Sequence, residues 1–341
     1  MSGTVGHGRG EASGRATGKV ILLGEHAVVW GAPALVAGVE RGLRAVARPA
    51  SVRSAGALRL LGHSHLADAT GEDRVGRAWA ALLGPEGLAA GLEAELSGDL
   101  PAGVGLGFSA AAGVALAGAV DRCLGCEAAD AAVERRAMAW ESVFHGNPSG
   151  IDVAAAMHGG LLRFSRSEPL RRLAAPRPIE LCIGLTGGAS ATHEMVARVD
   201  AVRQRDRARF DQVLQRLGAL VPEAEQAIAQ ADGAALGEQM SQAQSELARL
   251  SVSSAEIETL CETACAAGAL GAKLTGAGGG GAVIALLGFT ATAESAADGA
   301  GALGQRILDA WTARGFAGFS ARVGVSPEAG ARGRGTPRTE G

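Results

Sequence analysis

The run Pro101–Ala112, PAGVGLGFSAAA, sets the tightest limits on what this chain can fold into. Glycines alternate at Gly103, Gly105 and Gly107, Phe108 and Ser109 follow, and small apolar residues then continue to Val120. Glycine at this density lets a backbone turn sharply and come close to a ligand. The proline-free run from Ala110 to Val120 predicts a helix packed closely on its neighbours. The first N–H groups of such a helix have no partner within it and lie at the positive end of its dipole, which suits a phosphate. No Lys-Ser/Thr pair follows the glycines, so this is not a P-loop. Taken alone, such a run is more often a plain tight connection, and Ser109 could cap the helix or touch a metal ion.

The remaining composition narrows the class. With 341 residues the chain favours two lobes. Aromatic residues are 3% and tyrosine is absent, so Leu, Val and Ala must supply the packing. The net charge of −3 provides no basic field for nucleic acid. Residues 1–15 are Gly-rich and polar without an apolar signal core, and no apolar run reaches spanning length, so a cytoplasmic protein without a membrane segment is expected. Five cysteines are few and odd in number, which agrees with that compartment. The Cys123/Cys126 and Cys261/Cys265 pairs read as small helix residues rather than a zinc site.

Along the chain, strands are expected at Lys19–Leu23, Leu35–Val39, Leu43–Ala47, Leu58–Leu61 and Leu92–Leu96, with a helix at Arg74–Leu83. A second helix, 128–144, is broken by HGNPSGID at 145–152, after which Asp152 opens a short Ala-rich run. Strands follow at Leu161–Phe164 and Ile179–Leu185, and residues 165–178 between them read as a surface connection. Helices dominate from Thr192 to Ala267, and a strand at Ala272–Thr275 then enters Gly276–Gly281. Gly276, Gly278 and Gly281 match GxGxxG in form, but this loop runs from strand to strand and predicts a tight hairpin, not a dinucleotide turn.

Three separated stretches, GKVILLGEHAVVWG at 18–31, PAGVGLGFSAAA and KLTGAGGGG at 273–281, together resemble the three motifs of the GHMP small-molecule kinases. GEHAVV with HGNPSGID is similar to the mevalonate kinases among them. The resemblance implies an α/β (α+β) two-lobed fold with the active site in the cleft between the lobes. A ribosomal-protein S5-like N-terminal lobe would span 16–180 and a ferredoxin-like C-terminal lobe 181–326. Tails at 1–15 and 327–341 would be disordered. The implied reaction moves the γ-phosphoryl of ATP to the 5-hydroxyl of mevalonate with Mg2+, and a homodimer is compatible with the family.

By the same resemblance the ATP phosphates are held by Pro101, Ala102, Gly103, Val104, Gly105, Leu106, Gly107, Phe108, Ser109 and Ala110, with Gly276, Gly278 and Gly279 closing on them. Ser109 and Glu141 are the implied metal ligands, in keeping with a Mg2+ that takes few protein ligands beside substrate phosphates. Asp152 is the implied catalytic base and Lys19 its partner, while Glu25, His26 and Thr192 line the mevalonate pocket. Each has a plainer reading: Glu141 as a solvated helix-face residue like Glu134, Asp152 as the cap of a helix starting at Val153, and His26 as a structural histidine. Lys19 and Lys273 are the only lysines in a chain whose other cations are arginine, which argues for a specific need at both positions. Phe108 departs from the family, where a serine is usual, and so removes one side-chain contact to phosphate while leaving the backbone cradle. Another GHMP substrate, such as phosphomevalonate or homoserine, and a non-catalytic ligand sensor are the competing readings.

Overall fold

The computed structural model describes residues 10–50, 56–60, 65–71, 73–126, 129–146, 148–188, 192–290 and 300–324. They belong to two compact units. Unit 1 comprises the chain up to Gly18, Arg41–Pro101 and Gly107–Met157, and unit 2 comprises Lys19–Glu40, Ala102–Leu106 and the chain from His158. Strands β1 (Ala12–Leu23) and β2 (Ala34–Pro49) contribute to both.

Unit 1 continues with β3 (Ala57–Leu60), β4 (His65–Asp68), α1 (Arg74–Ala90), β5 (Leu92–Gly98), α2 (Phe108–Cys123), α3 (Asp130–His145) and α4 (Ile151–His158). Its sheet runs β4-β3-β5-β2, with β3 parallel to β5 and the other pairs antiparallel. Alternate residues Leu92, Ala94 and Leu96 of β5 are buried, the period expected of a strand with one covered face. Asp73 caps α1 by accepting from the N–H groups of Val75 and Gly76 at 2.9 and 3.0 Å. Residues 110–121 of α2 are buried without interruption, as befits a helix apolar all round. The small side chains of α2 make room for large neighbours. A Cβ on Gly113 would stand 2.8 Å from Cδ1 of Trp140 on α3.

Unit 2 adds a 3-10 turn (Ala27–Trp30), β6 (Leu161–Phe164), β7 (Arg171–Leu173), β8 (Ile179–Leu185), α5 (Thr192–Arg205), α6 (Arg207–Ala229), α7 (Gly233–Arg249), α8 (Ala255–Ala266), β9 (Gly271–Thr275), β10 (Ala282–Phe289), α9 (Ala300–Thr312) and β11 (Ala317–Val323). Its antiparallel sheet runs β2-β11-β8-β10-β9, and β6 pairs with both β2 and β7. Helices α7 and α8 pack on β9, and α9 on β8, β10 and β11. Here too glycine admits an aromatic ring: Trp311 lies over Gly184 and Gly318, and its Nε1–H donates to Leu260 O at 2.9 Å. Thr275 and Ala282 face each other across six intervening residues, so the last glycine-rich stretch is the expected hairpin loop.

Several expectations need correction. β1 begins at Ala12, so the last four residues of the stretch expected as an N-terminal tail are strand; residues 1–9 and the tail from 327 lie outside the described residues. The two strands expected at 35–39 and 43–47 are one, β2. Glu40 and Arg41 do not end it, and Gly42 lets it lie against Ala16, whose carbonyl oxygen stands 2.2 Å from where a Cβ would be. Helix α1 continues past Leu83 through a kink at Gly84, where glycine permits a φ of 61° and the extended ψ of −178° suits the following Pro85. Short strands β4 and β7 were not anticipated, and β7 lies within the expected surface connection.

Gly113→Val should lower stability by about 1–3 kcal/mol, the scale of overpacking in a filled core. Thermal and denaturant unfolding check this, with unchanged melting overturning the packing account.

Candidate active site

The three glycine-bearing or charged stretches meet within unit 2. Lys19 N–H donates to Leu106 O at 2.9 Å, and the Lys19 ammonium donates to Gly105 O at 3.2 Å. Gly103 and Gly105 hold φ of 74° and 84°, values that favour glycine. A Cβ on Gly105 would be 3.4 Å from Thr275 O, and one on Gly281 would be 3.1 Å from Val104 O. Thr275 Oγ1 in turn accepts from Ile21 N–H at 2.8 Å. The loop 102–106, the strand leading to GEHAVV and the 276–281 hairpin are therefore braced on one another. The outer side of residues 102–104 borders a cleft of ≈ 400 Å³ that also touches Leu185–Gly188 and Phe316.

Glu25 is buried, and Oε1 pairs with the ammonium of Lys273, which is also buried. Lys273 donates as well to Leu274 O at 2.6 Å and Ile21 O at 3.5 Å. Burial pushes the Glu25 carboxyl above its usual range and the Lys273 ammonium below its own, while their mutual attraction opposes both shifts. Glu25 Oε2 is buried without a hydrogen-bond partner among the described residues.

His26 sits at φ 58° and ψ −47°, outside the ordinary regions for a non-glycine residue. Ala27 N–H donates to Glu25 O at 2.6 Å across it, which makes His26 the centre of a γ-turn of the strained, positive-φ kind. Its ring Nε2 lies 2.8 Å from Ala277 O. A carbonyl only accepts, so Nε2 carries the proton. Burial foremost lowers the His26 pKa below 6.5, so the ring is neutral at neutral pH and Nδ1 is left as an acceptor.

In unit 1, α2 starts at Phe108, with Gly107 in the cap position at φ 76° and no side chain capping the helix. Ser109 is thus inside the first turn, and its hydroxyl donates to Oε1 of Glu141. The cap reading of Ser109 is replaced by this contact. Trp140 Nε1–H donates to Ser109 O at 3.0 Å, fixing the turn from the α3 side. Glu141 is 3% exposed, whereas Glu134 one heptad earlier is exposed, so the solvated-face reading holds for Glu134 alone. His145 Nε2 lies 3.7 Å from the other oxygen of Glu141. Asp152 is half-buried in the first turn of α4, which begins at Ile151, so it does not cap a helix starting at Val153. Phe108 is half-buried, and Thr192 is the exposed first residue of α5.

Lys273 is the one member of this constellation not proposed from sequence as a site residue; its signal was its rarity. Among the described residues no group of three or more His, Cys, Asp or Glu forms a metal cluster, and no helix is long and apolar enough to cross a membrane.

Comparison with known proteins places these features. The family model for the GHMP kinases N terminal domain matches residues 73–160, and that for the GHMP kinases C terminal matches 224–306. A mevalonate kinase of Pyrococcus horikoshii is 33% identical over 298 residues, covering 80% of this chain and 87% of the relative. The chain belongs to the GHMP kinase family. A second relative in it, a mevalonate kinase of Aeropyrum pernix, is 34% identical over 289 residues, covering 82% of this chain and 89% of its own length. Among solved structures, L. major mevalonate kinase in complex with R-mevalonate is similar at 27% identity and a TM-score of 0.78, over 95% of this chain and 98% of that one. The mixed α/β fold is that of a GHMP kinase, as the motifs implied.

The depressed pKa of His26 has a consequence for stability. The unfolded chain protonates His26 near pH 6.5, the folded protein only at lower pH. The contribution of the neutral buried ring is therefore complete above pH 6.5 and is lost as pH falls through the folded value. The melting temperature of the wild type relative to His26→Asn should fall between about pH 7.5 and about pH 5.5. A difference independent of pH would show that His26 is protonated equally in both states.

Proposed function

We propose that this chain is an ATP-dependent mevalonate kinase, which transfers the γ-phosphoryl group of ATP to the 5-hydroxyl of mevalonate. The observation that carries the reading is the identity of 33–34% to mevalonate kinases along most of the chain. The geometry supports it, because phosphoryl transfer asks a protein chiefly to position its reactants and to neutralise charge.

In this reading the backbone of 102–106 and the first turn of α2 receive the phosphates, helped by the helix dipole. The Lys19 ammonium, directed at that loop, meets developing negative charge on the moving group. Ser109 Oγ and the buried Glu141 carboxylate, joined across 32 residues of sequence, are hard oxygen donors side by side and fit Mg2+. When bound there, Mg2+ would neutralise charge on the nucleotide phosphates. Asp152 takes the proton of the attacking hydroxyl. Glu25 and His26 hold the alcohol through acceptors, and Thr192 at the start of α5 contacts the far end of the substrate. Phe108 leaves this scheme intact, because a cradle of backbone N–H groups does not depend on the side chain at each position. All five cysteines are free, in keeping with a reducing compartment and the cytoplasmic location that belongs to this reading.

ADP release measured with ATP, Mg2+ and mevalonate, beside phosphomevalonate and homoserine, tests the substrate. Turnover with mevalonate is expected to dominate, and none with mevalonate overturns the reading. Asp152→Asn should keep ATP binding and lose about 10²–10⁴ in kcat, the usual contribution of a positioned base. A near-normal kcat would remove Asp152 from the mechanism. Glu141→Gln should raise the Mg2+ concentration for half-maximal rate with little change in mevalonate KM. An unchanged Mg2+ titration would take Glu141 out of the metal site.

A further inference from the structure

We propose that Lys273 is a positioning residue for this reaction: it holds the Glu25 carboxylate turned so that Oε2 stands as an acceptor for a hydroxyl of the bound alcohol. The proposal rests on the functional reading above and names the chemistry that its pocket selects.

The argument begins with the three donors of an ammonium group. Lys273 Nζ has three acceptors around it: Glu25 Oε1, Leu274 O at 2.6 Å and Ile21 O at 3.5 Å. Every donor is engaged with the protein itself, so Lys273 has none to offer a substrate and must act through Glu25. Its own strand, β9, leads straight into the hairpin whose Ala277 O holds the His26 ring. One buried cation thus fixes the Glu25 side chain, while its strand positions the support of the neighbouring imidazole.

Glu25 is left with one satisfied and one unsatisfied oxygen. Oε1 faces Lys273, while Oε2 is buried and has no hydrogen-bond partner among the described residues. A buried carboxylate oxygen without a donor is unfavourable, and a native structure that keeps one invites a donor from outside the chain. His26 Nδ1, on the adjacent residue, is also an acceptor, because Nε2 carries the proton. Two adjacent acceptors select hydroxyl groups and disfavour a carboxylate. They therefore sort the substrate end to end, taking its hydroxyl-bearing carbons and turning its carboxylate away. The Lys273 charge opposes the rise that burial imposes on the Glu25 carboxyl and so favours its acceptor form.

The test uses the full chain as wild type, Lys273→Met, Glu25→Gln and the double variant. Lys273→Met should raise mevalonate KM by about 10–100-fold, the scale of a lost hydrogen bond to a charged group, while ATP KM changes little. Adding Lys273→Met to Glu25→Gln should alter mevalonate KM by less than about twofold, because a residue acting only through Glu25 has nothing left to act on. That comparison holds even where Lys273→Met alone fails to fold, since the double variant leaves no unpaired buried charge. Equal changes in both KM values, or a further independent loss in the double variant, would overturn the proposal. Infrared difference spectra between each protein and its Glu25→Gln counterpart give a readout without turnover. An ionised Glu25 is expected in the wild type and a protonated one in Lys273→Met; a protonated Glu25 in the wild type would overturn the proposal. A wild type inactive on mevalonate would instead sink the functional reading, and the spectra would still report on the Lys273–Glu25 link.

Discussion

Two opposite charges, on Glu25 and Lys273, are held out of water in unit 2, where each ion would lose several kcal/mol of solvation if left alone. Their contact, with the carbonyls of Leu274 and Ile21, makes that burial tolerable. The demand runs outward from there. β1 must present Ile21 O to the Lys273 side chain on β9, and the turn after Leu23 must bring Glu25 back over it. Thr275 reinforces the same alignment by exchanging hydrogen bonds with both the N–H and the carbonyl of Ile21. A pair of this kind gives little net stability, since apolar side chains of the same shape would fill the space as well. What it gives is a single register between the segment carrying GEHAVV and the segment carrying the glycine hairpin.

Scarcity of aromatic residues imposes the second constraint. With Ala, Val and Leu as the main core material, bulk is supplied at a few places by tryptophan, and at two of them glycine opposite the ring makes the space. Trp140 over Gly113 and Trp311 over Gly184 and Gly318 follow one pattern in two separate units. Each indole also finishes its hydrogen bonding on a backbone carbonyl, Ser109 O and Leu260 O. In unit 1 the packing therefore reaches the site directly, because the ring that fills the core also fixes the first turn of α2 and so the Ser109 hydroxyl.

Much of this was legible from residue order. The alternating glycines before a small-residue helix, the strand-loop-strand reading of 272–287 and the run 179–185 are local signals, and the structure follows them. Ser109 and Glu141 were named from family resemblance, but only the approach of α3 to α2 explains why Glu141 is buried while Glu134 stays in water. Pairings between distant residues left weaker traces. Nothing local distinguishes Glu25 as the partner of Lys273, since the two meet only when the side chains of Lys273 and Thr275 on β9 reach Ile21 on β1. Strands β4 and β7 are four and three residues long, too short for alternation to show, and depend on neighbours for their existence. The continuity of β2 through Glu40 and Arg41 comes from pairing on both sides of them, with β6 and β11 before and β5 after.

The backbone at His26 closes a route that selection or engineering would ordinarily take. A side-chain-bearing residue held at positive φ in a γ-turn stores about 1–3 kcal/mol. Glycine there would release the strain, but it would also delete the ring that rests on Ala277 O. The gain in robustness and the loss of the imidazole are bound to one Cα atom. Heat resistance in this chain must therefore be found elsewhere, and a lineage that drifts to glycine at this position has traded the imidazole's hold on Ala277 O for a calmer turn.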